Sequence, residues 1–140
     1  MKIYILTIIL SIFLFETSYA KNSYFEEGKK LFNNKEYVNS KIYFEKDIVF
    51  NPKNKNSYLY LAKIFKKTEK GNLEENNLNT VLLLDPKNEE AIYLLALLNI
   101  KKSNFSKTRE LILTMESVCK KMCSTTIEIK KKLDESQKSK

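Results

Sequence analysis

Apolar residues in this chain recur three, four and seven positions apart between residues 24 and 115, which is the spacing of one helix face. Six successive helices are predicted in this way, and their apolar faces consist of Tyr24, Phe25, Leu31 and Phe32; Tyr37, Phe44 and Ile48; Tyr58, Leu61 and Phe65; Leu78, Val81 and Leu82; Ile92, Leu95, Ala96 and Ile100; and Phe105, Ile112 and Met115. Pro52 and Pro86 favour extended backbone at the residue before them, so the second and fourth helices should end there. The chain has only two glycines and two prolines, which favours helices over strands or disorder.

The same features return at a constant offset along the chain. Asn51–Asn54 aligns with Asp85–Asn88, and the small residues Gly28, Ala62 and Ala96 follow the same offset. A fixed period of about 34 residues is typical of stacked helical hairpins, none of which can bury its apolar face alone. Small residues are expected where two paired helices cross closely. Gly28 costs about 1 kcal/mol of helix propensity relative to alanine, so close packing is the expected reason for it.

Polar residues mark where several helices begin or end. Asn54 and Asn88 are predicted to cap helix starts with their side-chain oxygens, and Ser23 with Glu26 fits a capping box. Gly71 lies two residues later than the turn of the first unit would suggest. We expect it to end a slightly extended third helix in the left-handed conformation and to leave the fourth helix shorter.

The last part of the chain predicts one more helix. Met122, Ile129 and Leu133 form an apolar stripe, and Thr125 with Glu128 fits a second capping box. Because a repeat array needs a terminal element with one polar face, residues 123–140 are interpreted as a capping helix, from about residue 126 to residue 136, with a basic tail.

The pattern resembles the tetratricopeptide repeat, a helix–turn–helix unit of about 34 residues. The matching units are 21–54, 55–88 and 89–122, and the third has Lys120 where the closing proline would be. The resemblance implies an all-α, right-handed superhelical array of three helix-turn-helix repeats plus the capping helix. The chain departs from the family at several positions, where polar residues replace apolar or small ones: Glu27, Ser40, Asp47, Glu74 and Asn99.

In this family the first helices of successive units line a concave surface that binds a peptide or protein segment. The positions carried over from the family are Asn22, Phe25, Lys29, Asn33, Asn56, Leu59, Lys63, Lys67, Tyr93, Leu97 and Lys101. Such a groove would favour apolar and acidic segments, with the lysines adding steering and salt dependence. The alternative is that the lysines are merely solvated and that Phe25, Leu59 and Tyr93 pack on neighbouring helices. A lysine-and-asparagine clamp for a C-terminal carboxylate is only partly present, since Phe25 and Tyr93 stand where basic residues are expected.

The first twenty residues have the pattern of a secretory signal peptide. Lys2 provides a positive charge, Ile3–Phe15 is an uncharged apolar run, and Ser18 and Ala20 fit a small-residue cleavage site. The run is shorter than the roughly 20 residues that span a membrane, although an uncleaved anchor is the alternative. We therefore expect an exported mature protein that starts at Lys21, preferably in a bacterial periplasm and otherwise secreted.

The chain is basic but carries few features of a nucleic-acid reader. The 25 basic residues exceed the 17 acidic ones and give a net charge of +8, yet Arg109 is the only arginine. Because planar bidentate recognition of phosphate and bases favours arginine, no nucleic-acid partner is expected. The run Lys130–Lys132 could contact anionic lipid, although a solvated helix face is the simpler interpretation.

Cys119 and Cys123 are the only cysteines. In an exported protein an even count suggests a disulfide, which here would staple the entry to the capping helix, with free thiols as the alternative. Two thiols without any histidine cannot supply the usual four ligands of a structural zinc site, so no metal is expected.

The sequence offers no catalytic constellation and no cofactor site. It contains no histidine and no glycine-rich phosphate loop, which excludes histidine-based triads. We therefore expect no enzyme but an exported adaptor or scaffold that binds a protein segment, as a monomer or weak oligomer. Two alternatives remain open: a self-associating subunit of an envelope complex, and a peripheral membrane or cell-wall binder that uses the lysine-rich tail.

Overall fold

The computed structural model describes residues 24–138, and the residues it describes form seven α-helices and no strand. The helices are α1 (24–33 in the described part), α2 (Tyr37–Phe50), α3 (Lys55–Lys67), α4 (Gly71–Leu84), α5 (Glu89–Lys101), α6 (Phe105–Val118) and α7 (Cys123–Lys138). Three helical hairpins and a seventh helix thus form an all-α repeat array. The predicted signal peptide, Asn22 and the Ser23 end of the first capping box lie outside the described residues.

The chain divides into two compact units, and the boundary between Tyr60 and Leu61 falls inside α3. The first unit contains α1, α2 and the start of α3, and the second contains everything that follows. In the second unit α5 packs against α4, α6 and α7, and α6 also packs against α7. No described helix is both long and apolar enough to cross a membrane.

The turn inside each hairpin has the same backbone conformation. Lys35, Glu69 and Ser103 have φ values of 65°, 56° and 59° and occupy the same position in successive repeats. In each turn two backbone N–H groups bond back to the last helical carbonyls, for example Lys70 N to Phe65 O at 2.9 Å, which is the Schellman arrangement of a helix end. The backbone conformation therefore repeats from hairpin to hairpin, although none of the three left-handed residues is a glycine.

The prediction for Gly71 was wrong. Gly71 does not have a positive φ, and it is the first residue of α4 rather than the end of α3. The left-handed residue is Glu69, because two hydrogen bonds to the end of α3 fix the turn at that place. As a result α3 and α4 have ordinary lengths of 13 and 14 residues.

The helix ends predicted from the prolines and asparagines are confirmed. α2 ends at Phe50 and α4 at Leu84, each two residues before a proline. The side chain of Asn88 accepts a hydrogen bond from the backbone N–H of Ala91 at 3.0 Å, as expected of a cap. The side chain of Asn54 accepts from a backbone N–H two residues later at 3.2 Å.

The core of the first unit is aromatic and is built around Phe44, which has no exposed surface. The ring of Phe44 stacks on that of Tyr60 at 4.9 Å between centroids and contacts Phe25 at 5.8 Å. Gly28 faces the same ring from α1, and a Cβ atom there would lie 2.9 Å from Phe44 Cε1. Close crossing of α1 and α2 therefore explains the glycine.

Two of the polar departures from the family pattern connect elements of the first unit. The hydroxyl of Ser40 on α2 donates to the carbonyl of Gly28 on α1 at 2.8 Å. The buried carboxylate of Asp47 accepts from Asn54 Nδ2 at 2.7 Å and from Ser57 Oγ at 2.5 Å. These side chains satisfy polar groups across a hairpin and across the following turn, so they take part in holding the unit together.

The core of the second unit is mainly aliphatic, and Phe65 is its buried aromatic residue. Its fully or nearly fully buried apolar residues are Leu61, Ala62, Ile64, Phe65, Leu78, Val81, Ala91, Ile92, Leu94, Leu95, Ala96, Leu98, Leu111, Ile112, Met115, Ile129 and Leu133. Asn99, a further departure from the family pattern, is also buried, and its side-chain amide donates to the carbonyl of Leu95 at 2.8 Å. The small residues Ala62 and Ala96 have no exposed surface, in line with the close helix crossing expected at their positions.

The seventh helix begins at Cys123, three residues earlier than expected. The predicted capping box is wrong, because the hydroxyl of Thr125 donates to the carbonyl of Met122 instead of accepting from the helix. Its proposed partner Glu128 accepts a hydrogen bond from Tyr93. The expected apolar stripe is present, since Ile129 and Leu133 are both buried.

Candidate functional site

The helices α3, α5 and α7 of the second unit enclose an open cavity of about 600 Å³. It is lined by Lys66, Leu97, Ile100, Lys101, Lys132, Glu135 and Ser136. Leu97 and Lys101 are two of the groove positions predicted from the sequence. The cavity thus combines an aliphatic floor from α5 with ammonium groups from all three helices.

A second cavity of about 380 Å³ lies where α3, α4 and α5 meet, and it is lined by Lys66, Glu69, Gly71, Glu74, Leu97, Leu98, Lys101 and Lys102. Lys66, Leu97 and Lys101 line both cavities. We call the surface formed by these three residues the lysine trough. Lys66 was not among the groove positions carried over from the family, because it lies one position before Lys67 in the repeat.

Glu74 is the buried acid of the second cavity. It is 5% exposed and stands where the family pattern has a small residue. Burial raises the pKa of the Glu74 carboxyl above its ordinary value, and the nearby charges of Lys66, Lys101 and Lys102 partly offset that rise. Lys102 is itself bound to Glu75, with the two charged groups 2.5 Å apart.

Two predicted groove residues of the second unit make contacts to neighbouring helices. Lys63 on α3 forms an ion pair with Glu90 on α5 at 2.7 Å. The hydroxyl of Tyr93 on α5 donates to the carboxylate of Glu128 on α7 at 2.9 Å. Partial burial and this carboxylate raise the pKa of Tyr93. Lys67, by contrast, is exposed at the end of α3.

In the first unit, Phe25 and Leu59 are largely covered by the protein itself. Phe25 contacts the rings of Phe44 and Tyr60, each at 5.8 Å between centroids. Leu59 is 7% exposed. Contact of these two side chains with a ligand remains a prediction, and the packing that we gave as its alternative accounts for both as they stand.

The polar groove positions of the first unit are more open. Lys29 and Asn33 line a shallow depression of about 300 Å³ on α1 together with Glu26, Lys30 and Asn34. Lys29 approaches Glu26 at 4.0 Å, and Asn56 at the start of α3 is exposed. Asn22, the remaining predicted position, lies outside the described residues.

Comparison with solved structures identifies the architecture. No protein-family model matches the sequence, and no curated protein sequence matches it. The TPR2B domain of yeast Sti1, in complex with pHsp70, is 16% identical with a TM-score of 0.73, and the match covers 86% of this chain and 98% of that one. The type III secretion chaperone SycD of Yersinia enterocolitica, in complex with a peptide of the translocator YopD, is 9% identical with a TM-score of 0.74, over 84% of this chain and 92% of that one. The first TPR of Spaghetti (RPAP3), bound to the HSP90 peptide SRMEEVD, is 15% identical with a TM-score of 0.72, over 80% and 89%. The chain has the tetratricopeptide-repeat fold.

After the last tetratricopeptide hairpin, Glu89 holds the turn between α6 and α7. Its carboxylate accepts hydrogen bonds from the backbone N–H groups of Met122 at 2.6 Å, Lys121 at 3.0 Å and Lys120 at 3.0 Å. The bond from Met122 is the largest of the causes that lower the pKa of Glu89. Reasoning from the sequence missed this role, because the partners lie more than thirty positions away and do not follow the repeat.

The same turn contains the two cysteines. The sulfur atoms of Cys119 and Cys123 lie at disulfide distance, and their Cα atoms are 5.2 Å apart. The pair therefore brackets the turn that precedes the capping helix of the tetratricopeptide array, as the sequence suggested. No group of three or more acidic or thiol side chains suited to a metal ion occurs within residues 24–138.

The lysine run on α7 is largely paired with acids. Lys130 lies 2.6 Å from Glu116, while Lys131 and Lys132 lie 3.8 Å and 3.6 Å from glutamates one turn away on the capping helix. The three lysines of this run therefore each have an acidic neighbour, and they do not form a row of unpaired positive charges.

Proposed function

We propose that this tetratricopeptide-repeat protein is a non-enzymatic interaction module that holds a segment of another protein on the surface formed by its first helices. The observation that carries the proposal is its fold, which it shares with three domains whose structures contain a bound protein or peptide partner. The chemistry of the chain's own surface defines the class of partner.

The side chains of the second unit support this function. Lys66, Leu97 and Lys101 come from two first helices and line both cavities. An aliphatic floor next to exposed ammonium groups can cover an apolar side chain of a bound segment and attract an acidic one.

Export is the second part of the proposal. It is supported by the charged and apolar pattern of residues 1–20 and by the cysteine pair at disulfide distance, since structural disulfides persist in oxidising compartments. We favour a bacterial periplasm and an adaptor or scaffold role in the envelope there, with secretion as the other destination.

A photo-crosslinking side chain introduced in the native compartment tests the function. At Lys67, an exposed groove position on α3, it should capture a defined partner band. At Leu83, which is 82% exposed on the second helix α4, it should not. Equal capture at both positions, or no capture at either, would contradict binding through the first helices.

Self-association is a second candidate, and one observation favours it. The second helix α2 carries exposed apolar side chains on one face, namely Val38 at 78%, Ile42 at 44% and Val49 at 75%. A contiguous apolar patch of this kind is typical of contacts between proteins. Light scattering separates the two functions. A monomer across the micromolar range favours the interaction module, whereas a mass that rises with concentration favours a self-assembling subunit.

A further inference from the structure

Lys66 and Lys101 differ from the other lysines that approach the second unit's inner surface. Lys63 and Lys102 are held by glutamates at 2.7 Å and 2.5 Å. The side-chain ammonium groups of Lys66 and Lys101 form no hydrogen bond or ion pair with any residue of the described range. The trough thus holds two ammonium groups that no carboxylate of the described part neutralises by direct contact.

The position of these lysines at helix ends explains only part of their placement. Both lie in the last turn of their helices, α3 and α5, where a positive charge is favourable. That effect stabilises a single lysine at each end but gives no reason for both to line the same cavities. Like charges around one cavity repel each other. Glu74 attracts both lysines from the smaller cavity but forms no direct ion pair with either of them.

The floor between the two lysines is apolar. Leu97 and Ile100 of α5 line the larger cavity, and Leu97 and Leu98 line the smaller one. Leu97 is only partly covered by the protein. A bound side chain would therefore remove aliphatic surface from water at the point where its neighbour meets the lysines.

We propose that the lysine trough binds a peptide segment in which one acidic side chain adjoins an apolar residue, with the carboxylate between Lys66 and Lys101 and the apolar side chain on Leu97. This inference rests on the proposed function, since it names the class of segment that the repeat surface accepts. It places the recognition of charge at the turn end of the second hairpin, away from Lys63, whose ammonium already has a partner.

Glu74 sets a limit on the ligand. Its buried carboxylate lines the smaller cavity next to both lysines, so it competes with the ligand for their positive charge. A second carboxylate that entered this cavity would be repelled. The trough should therefore prefer a single acid between apolar residues over a run of acids.

The test uses short fluorescent peptides and the purified protein, with binding measured by fluorescence anisotropy. The probe is an octapeptide with two Leu-Glu pairs separated by Gly-Ser, with both ends blocked so that only side-chain carboxylates are present. Matched peptides replace both Glu residues with Gln, or join the acids in one run. The Glu probe should bind more tightly than either matched peptide, and its affinity should fall as salt is added.

Four variants separate the trough from general charge. Lys66→Gln and Lys101→Gln should each weaken binding of the Glu probe about 3- to 10-fold, as expected for partly exposed charge contacts. Lys87→Gln, an exposed residue outside both cavities, changes net charge equally and should leave affinity within about 2-fold, as surface charges do. Glu74→Gln should tighten binding, because it removes the competing carboxylate. Circular dichroism on each variant confirms that the helices are retained.

Each outcome bears on one of the two proposals. If Lys66→Gln and Lys101→Gln behave like Lys87→Gln, or if the Gln peptide binds as well as the Glu probe, the trough proposal is overturned while peptide binding stands. If Lys67 crosslinks a partner in the native compartment but the Glu probe does not bind at millimolar concentration, the trough proposal is again wrong. If neither crosslinking nor any peptide gives a signal, the proposed function itself fails.

Discussion

Replacing Gly28 with alanine should destabilise the protein even though alanine is the better helix former. The new Cβ would lie 2.9 Å, 3.0 Å and 3.2 Å from three ring carbons of Phe44. That ring is fully buried and is held by Tyr60 on one side and Phe25 on another. It therefore cannot move away without disturbing its neighbours.

The magnitude follows from two opposing terms. Alanine gains about 1 kcal/mol of helix propensity over glycine, whereas overpacking of a filled core costs about 1 to 3 kcal/mol. The carbonyl of Gly28 also accepts the hydrogen bond from Ser40, and a shift of α1 would weaken it. We expect Gly28→Ala to lower the free energy of unfolding by about 1 kcal/mol, or the melting temperature by about 3 to 6 °C.

Gly71→Ala is the matched control, because it adds the same methyl group where there is room. Its Cβ would meet Leu98 Cδ1 at 3.6 Å and Lys102 Cε at 3.7 Å, which are ordinary contacts. Gly71 begins α4 and does not have a positive φ. This substitution should raise the free energy of unfolding by about 0.4 to 1 kcal/mol.

Urea unfolding followed by far-UV circular dichroism measures both changes, with equal slopes required for comparison. A double-mutant cycle with Phe44→Leu isolates the steric term, since the smaller side chain should turn the penalty of Gly28→Ala into a gain. If Gly28→Ala were more stable than the unchanged protein, or if its effect were the same with Leu at position 44, close crossing would not be the reason for the glycine.

Three further predictions concern the charged and sulfur-containing groups. Because the folded-state pKa of Glu74 is raised, ionisation of this carboxyl opposes folding, and Glu74→Gln should raise the urea midpoint at neutral pH. The difference between the two proteins should shrink as the pH falls toward the ordinary pKa of glutamate. A difference that does not depend on pH would contradict this prediction. The folded-state pKa of Glu89 is lowered, so the ionised carboxylate stabilises the folded protein above the ordinary glutamate pKa, and this stabilisation is lost as the pH falls through the folded-state pKa. Glu89→Gln should therefore lower the melting temperature at neutral pH but not at low pH. An equal loss at both pH values would refute the role of the carboxylate charge. Cys119 and Cys123 should resist alkylation in the folded exported protein. Reduction should lower the free energy of unfolding by about 2 kcal/mol or less, because the closed loop is short. Stoichiometric labelling of both cysteines without reductant would show that no disulfide is present.

The repeating features of the fold could be read from the sequence because each depends on local chemistry. Pro52 and Pro86 ended helices through steric restriction of the residue before them, and Asn88 capped α5 with a side chain close in sequence. The small residues Gly28, Ala62 and Ala96 could be recognised as helix-crossing positions, because a larger side chain would not fit between the two packed helices.

The turn of the second hairpin differs from the prediction because the usual signal does not apply there. Glycine is the residue that adopts positive φ most readily, so the sequence points to Gly71 as the turn. The structure instead places Glu69 there, as it places Lys35 and Ser103 in the other hairpins. The two backbone hydrogen bonds of each turn outweigh the cost of about 1 to 2 kcal/mol for a left-handed residue with a side chain, and no side-chain pattern reveals that balance.

Only those residues of the candidate site that occupy repeat positions could be predicted from the sequence. Leu97 and Lys101 were placed by their repeat positions, and both line the larger cavity. The bond from Tyr93 to Glu128 and the hold of Glu89 on the last turn connect residues more than thirty positions apart. Such contacts depend on where α7 packs, and the capping helix has no counterpart in the repeat from which its position could be inferred.

One position of the repeat distinguishes the second hairpin from the other two. Ser40, Glu74 and Thr108 occupy the same place in successive second helices, one repeat period apart. The hydroxyl of Ser40 bonds the carbonyl of Gly28 at 2.8 Å, and that of Thr108 bonds the carbonyl of Asn104 at 3.0 Å, so both are satisfied by backbone. The carboxylate of Glu74 has no hydrogen-bond partner among the described residues and instead lines a cavity with three lysines. A buried acid beside lysines is costly for a purely structural position. The buried acid of the second hairpin is therefore the residue that lines the cavity of the proposed lysine trough.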